Sequence, residues 1–288
     1  MSVAPKRLLF GTAGVPHSTA DTSTLAALDR IHALGLDGLE IEFVKGVKMG
    51  LDTAAKVRAR AAALGLRLSV HAPYYINFNS GDRGIRLQSQ ERLLSAARVG
   101  AACGAASVVF HAGFYGQDLP EKAYAAVRSG LAAVLSIVRQ ERLPIRVRVE
   151  TMGKRSQFGS LDEVLLLCRE VEGLRPCLDF SHIYAREGRV NSYAEFHRVL
   201  SKVARKLGPA ALKDAHIHIA GIHYNHTGEV KHLNLDEADF RYDEWLQALR
   251  DLGVEGLVIS ESPNLEADAL MLKRLYGAHR AKGGAEPR

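Results

Sequence analysis

The chain has 288 residues, 47% hydrophobic and 24% charged, which is enough apolar material for a large buried core and too much for a disordered chain. No run approaches the ~20 apolar residues a membrane span requires, and the opening MSVAPKRLLF has no apolar signal segment, so a cytoplasmic protein without a membrane partner is expected. The formal charge of +6 suits a polyanionic partner without demanding one, and Cys103, Cys168 and Cys177, with no CxxC pair, read as buried thiols rather than as disulfides or a cysteine zinc cluster.

Strand-like runs rich in Val, Ile and Leu fall at 7–13, 38–43, 66–71, 106–111, 145–150, 176–180, 215–219 and 256–261. Amphipathic stretches separate them. Leu25, Leu28, Ile31 and Leu34 repeat at three-residue spacing, as the apolar stripe of a helix does. Pro120 suits the first turn of a helix, and Ser160 with Glu163 forms a capping box before the helix through Leu167. Eight β/α units with no flexible linker between them predict a single (β/α)8 TIM barrel over residues 1–280, followed by a disordered tail at 281–288. The segment Gly11-Thr12-Ala13-Gly14 lacks GxGxxG spacing, which argues against a dinucleotide-binding fold.

The later strands end in imidazole or carboxylate groups: His71, His111, Glu150, Asp179 followed by His182, His216 and His218 two apart on one face, and Glu261. The C-terminal rim of such a barrel carries the active site, and so many ionisable groups converging there would repel and desolvate one another without cations. The mixed donors suit zinc, or manganese, better than calcium, and suffice for two or three ions. A single such residue would read as an ordinary rim group; six consecutive strands ending this way do not.

Ser69-Val70-His71-Ala72-Pro73-Tyr74-Tyr75-Ile76-Asn77, together with Phe110-His111-Ala112-Gly113, Val149-Glu150-Thr151, Asp179-Phe180-Ser181-His182 and Glu261-Ser262-Pro263, resembles the endonuclease IV family of zinc enzymes, which cleave DNA 5′ to abasic sites. The resemblance runs in order from the first strand to the eighth. It implies that His71 and His111 hold one metal, with Glu150 bridging to a second completed by Asp179, His218 and Glu261, and that His182 belongs to a third. It also implies attack by a metal-bound hydroxide near Glu150, with Glu150 and Glu261 as the catalytic carboxylates. Tyr74 looks like the aromatic pressed into the duplex beside an extruded nucleotide, and Asn77, Lys45 and Lys48 are the accompanying candidates for contact with double-stranded DNA. A monomer is expected.

The pattern departs at the third metal. Where the family usually has Asp-x-His, this chain reads Gly228-Glu229-Val230-Lys231-His232. One alignment leaves Lys231 near the phosphate in a two-metal site; another closes a third site with Glu229 or His232. Ile219-Ala220-Gly221 also replaces the family's Asn-Asp. His223 and His226 fall in what reads as a solvated loop. The altered third site favours the rival reading, a sugar isomerase or epimerase of the wider xylose-isomerase-like group using one divalent metal at Glu150, Asp179, His218 and Glu261. A barrel that binds DNA or a partner without cutting is the third alternative.

Overall fold

Alternating aliphatic residues at each expected run form strands β1 (Leu8–Ala13), β2 (Gly38–Glu42), β3 (Arg67–His71), β4 (Ser107–Phe110), β5 (Arg146–Glu150), β6 (Leu174–Asp179) and β7 (Ala215–Ile219) in the computed structural model, which describes residues 7–282. A hairpin of β8 (Gly221–Asn225) and β9 (Gly228–Leu233) follows, and β10 (Gly256–Ser260) supplies the eighth barrel strand. β1 pairs in parallel with both β2 and β10, closing the barrel in the order β1-β10-β7-β6-β5-β4-β3-β2. The predicted (β/α)8 TIM barrel is the fold observed. Helices α1 (Thr24–Ala33), α2 (Leu51–Leu64), α3 (Arg83–Ala102), α4 (Pro120–Gln140), α5 (Leu161–Glu170), α6 (Phe180–Glu187), α7 (Tyr193–Leu207), α8 (Tyr242–Asp251) and α9 (Glu266–Lys282) complete the alternation. α9 runs through 282, and the rest of the expected tail, 283–288, lies outside the described residues.

Local chemistry sets the helix starts. Ser160 accepts from the Glu163 amide while the Glu163 side chain accepts from the Ser160 amide, and Pro120 occupies the first turn of α4. Ala27, Leu28 and Ile31 of α1 are fully buried against the strands. Gly11 within β1 and Gly38 at the start of β2 admit no side chain, because a Cβ would lie 2.3 Å and 2.6 Å from the carbonyl oxygens of Gly38 and Arg67.

The core is layered by the two-residue period of the strands. One large apolar cluster, with Phe10, Leu39, Val70, Val108, Phe110, Val149 and Ile217, packs beneath the helices, whereas Leu9, Leu257 and Ile259 form a small separate patch. Several positions of opposite parity are buried and polar: Glu40, Ser69, Ser107, Arg148, His216 and His218. Arg148 is anchored at the barrel floor by Ser107 Oγ at 2.7 Å, the Pro176 carbonyl at 3.1 Å and Asp214 Oδ2 at 2.9 Å, so each nitrogen of its buried guanidinium is bonded. All three cysteines are free; Cys103 and Cys177 are buried and Cys168 partly so.

Candidate metal centre

The strands end at the rim above this polar interior, and their terminal side chains meet around a cavity of about 500 Å³. Four sets of ligand atoms lie together among the described residues: His71, His111 and Glu150; Glu150, Asp179, His218 and Glu261; His182, Glu229 and His232; and Cys177, His216 and His218. Glu150 joins the first two. Its Oε2 is 3.2 Å from His71 Nε2, 3.1 Å from His111 Nε2 and 3.6 Å from His218 Nδ1. His218 Nδ1 is also 3.1 Å from Glu261 Oε1. In the third set His182 Nε2 lies 3.3 Å from both Glu229 Oε2 and His232 Nε2.

These spacings fit cations. Tetrahedral coordination at about 2.0–2.1 Å separates neighbouring ligand atoms by about 3.3 Å. Glu150 Oε1, Asp179 Oδ2 and His218 Nδ1 are buried without an aligned hydrogen-bond partner, an arrangement that is costly unless something else occupies the space they face. Asp179 divides its labour: Oδ1 accepts from the His182 amide at 2.7 Å, capping α6, and Oδ2 has no aligned donor. The bland expectation of a helix cap and the functional one of a ligand are thus met by different oxygens.

The electrostatics of the bare protein show protons held where cations would sit. Burial opposes charge on His71, yet the bond to Glu150 and the charge of Glu42 push it up to about 10. Burial likewise opposes charge on His182 and His218, and neighbouring carboxylates (Asp179 for His182, Glu261 and Glu40 for His218) raise both well above the usual imidazole value. Burial pushes Glu150 up, and the charges of His111 and His218 outweigh it, leaving the carboxyl well below its usual range. Burial raises Asp179 to about 6 and Glu42 to about 8.

The hairpin explains the third set. In an unbroken strand Glu229 and Lys231 would share a face. Here Tyr224 pairs with Glu229 and His223 with Lys231, so Val230 is an extra, bulged residue. The bulge turns Glu229 and His232, three apart, to the same side, while Lys231 is exposed and absent from the cavity wall. The loop expected around His223 and His226 is instead this hairpin, with His223 in β8 and His226 at its turn, both exposed. The Glu229 amide donates to the Gly153 carbonyl at 3.2 Å, and a Cβ on Gly153 would lie 2.7 Å from that of Glu229, so the hairpin packs tightly on the β5–α5 loop beside Glu229.

Around the mouth, Tyr74 is half-exposed and its ring stacks on His111 with centroids 6.1 Å apart. Asn77 is turned away from the cavity: its Oδ1 accepts from the Asn79 amide at 3.1 Å and the Phe114 amide at 3.4 Å, tying two loops together. Lys45 and Lys48 are exposed in a recess of about 320 Å³ that shares Glu42 with the main cavity.

A profile of the xylose isomerase-like TIM barrel matches residues 28–277. The chain belongs to this family. Among relatives of the xylose isomerase-like barrel, "Uncharacterized protein MJ0133" of Methanocaldococcus jannaschii is 43% identical over 93% of this chain and 97% of its own length. "Probable endonuclease 4" of Streptomyces avermitilis is 28% identical, covering 76% of this chain and 73% of that protein. Among solved xylose isomerase-like barrels, a D-tagatose 3-epimerase-like protein (18% identity, 96% of this chain and 100% of that one) and endonuclease IV of Thermus thermophilus (20% identity, 96% and 99%) both superpose with a TM-score of 0.73. Their likeness is one of fold, and it does not separate the two chemistries.

Several residues at or beneath this rim carry no clear signal in the sequence, Glu42, Lys154, Phe114 and Glu40 among them. Glu42, Lys154 and Phe114 line the cavity, and Lys154 is the single Lys or Arg among the lining residues described. Glu40 is fully buried, with His216 Nε2 2.9 Å from its Oε2 and His218 Nε2 2.9 Å from its Oε1, the latter not aligned as a hydrogen bond. Burial pushes the Glu40 carboxyl up, and His218 and His216 together hold it well below the usual range; burial lowers His216 to about 4, so the ring is neutral and donates its Nε2–H. The available signal was Glu40-Ile41-Glu42, two carboxylates on one face of an otherwise apolar strand.

Proposed function

We propose that this chain is a metal-dependent phosphodiester hydrolase that cleaves double-stranded DNA 5′ to abasic sites, working as a cytoplasmic monomer with zinc, or manganese in its place. The observation that carries this reading is the third ligand set, His182, Glu229 and His232, beside the two sets that share Glu150. A one-metal isomerase has use for Glu150, Asp179, His218 and Glu261 alone. Bound divalent ions would supply an activated water near neutral pH and neutralise charge on attacking and departing oxygens. His71, His111, Asp179, His182, His218, Glu229, His232 and Glu261 would hold them, with Glu150 fixing the spacing between the first two. Tyr74, half-exposed over His111, would support the strand at the lesion, and Lys154, with Lys45 and Lys48 in the adjoining recess, would meet backbone phosphates.

One feature favours a sugar isomerase or epimerase as the second reading. Glu42 places a carboxyl group on the cavity wall, where it suits hydroxyl groups better than a phosphodiester. Both readings are tested together by stripping the protein with chelator, reloading it with zinc or manganese, and assaying a labelled duplex with one abasic site alongside a ketose panel. Scission 5′ to the lesion, abolished by chelator, is expected. Turnover of a ketose with an intact duplex would replace the nuclease reading.

A further inference from the structure

Beneath the second ligand set lies a buried group that makes no contact with the cavity. Glu40 projects from β2 across the barrel to His216 and His218 of β7, and all three are at most 3% exposed. His218 stands between two sets of oxygens. Its Nδ1 faces Glu261 Oε1 at 3.1 Å and Glu150 Oε2 at 3.6 Å, and its Nε2 faces Glu40 Oε1 at 2.9 Å. Once Nδ1 is committed to a cation, Nε2 must carry the hydrogen; Glu40 Oε1, 2.9 Å away and out of line for a hydrogen bond in the metal-free protein, would accept it once ring and carboxylate align. His216 occupies the other oxygen of Glu40 at 2.9 Å, so the carboxylate is anchored at one end and presented at the other.

We propose that Glu40 is a positioning residue for His218, with His216 as its anchor, so that the imidazole meets a cation in the second ligand set through Nδ1. The inference rests on the metal reading of that set. A carboxylate behind a ligating imidazole fixes its tautomer and ring orientation and raises its basicity, and loss of such a partner weakens metal binding roughly 10- to 100-fold. Cys177 also lies within reach of both rings, and burial pushes its thiol up.

The test uses the full-length protein and its Glu40→Gln variant. Zinc content per chain is measured after dialysis, zinc affinity by competition with a chromophoric chelator, and melting temperature with and without zinc. The amide offers one acceptor oxygen where the carboxylate offers two. The expected result is one weakened zinc equivalent, by roughly 10- to 100-fold, with the other equivalents unchanged, and a smaller zinc-dependent rise in melting temperature. A merely structural role would lower the metal-free melting temperature and leave zinc affinity unchanged, overturning the proposal. A fourth tightly held zinc in the wild type, lost with Glu40, would make Glu40 and His216 ligands themselves and overturn it too. Should Glu40→Gln not fold, His216→Leu removes the anchor and leaves the carboxylate; unaltered affinity in that variant overturns the proposal. Wild-type protein that binds no zinc removes both the metal reading and this inference, whereas DNA left uncut by a protein holding three zincs removes only the nuclease.

Discussion

Glu150 carries more of the site than any other side chain. One buried carboxylate faces three imidazoles within 3.2 Å, His71 and His111 through Oε2 and His182 through Oε1. Replacing it with Gln removes the shared ligand of two sets and leaves those imidazoles without their counter-charge. Glu150→Gln is expected to keep the zinc of the His182, Glu229 and His232 set while losing that of the other two, and to destabilise the metal-free fold by about 3 kcal/mol, the scale for breaking a buried pair. Zinc counting and chemical denaturation in chelator check both, and three retained zincs would refute the bridging role. His71, His111, Glu150, Asp179 and Glu261 were legible in the sequence because each ends or directly follows a strand, and strand ends converge in a closed barrel. Glu40 was not. A carboxylate in mid-strand normally signals a solvent-facing position, and only closure of the barrel shows that this one points inward to His216 and His218.

At the scale of elements, the β8–β9 hairpin decides how the third ligand set is built. The eight strands could be read from hydrophobic runs, but the hairpin could not: Gly221–Asn225 and Gly228–Leu233 are mostly polar and half exposed, with too little apolar alternation to signal strands. Nor could the bulge, so two alignments of Glu229, Lys231 and His232 stood open until pairing was known. The bulge makes Glu-x-x-His equivalent to a regular Glu-x-His, because Val230 is the unpaired residue. Deleting Val230 should therefore straighten β9 with Glu229 and His232 still facing His182, and the third zinc should remain. Inserting one alanine between Lys231 and His232 should turn the imidazole to solvent and lose one zinc equivalent without unfolding the barrel. Zinc stoichiometry with circular dichroism reads both variants, and the opposite pattern would show that Val230 is not the bulged residue. Gly153 offers a third handle. Its alanine variant must displace Glu229, whose Cβ would lie 2.7 Å from the new methyl, so third-site affinity should fall by roughly tenfold or more.

For the whole molecule, gathering so many ionisable groups inside one barrel makes stability depend on what neutralises them. In the metal-free protein His71 titrates at about 10 against an ordinary 6.5, and Glu42 at about 8 against 4.5. Both bind protons more tightly folded than unfolded. The stability they contribute is complete below pH 4.5 for Glu42 and 6.5 for His71, and it is lost as pH rises through about 8 and about 10. His216 runs the other way: lowered to about 4, its contribution is present above 6.5 and lost as pH falls through about 4. The metal-free protein should therefore lose stability steadily as pH rises from about 6.5 to about 9. On the metal reading a bound cation would displace the His71 proton, since an imidazole must be deprotonated to ligate. The loaded protein should show little of the alkaline loss, and adding zinc at pH 7 should release protons measurable in weak buffer. Urea midpoints across pH 5 to 9, with chelator and with zinc, compare the two states. Parallel curves with no proton release would mean that the charges at the rim are balanced within the protein, and that the cavity was not built around cations.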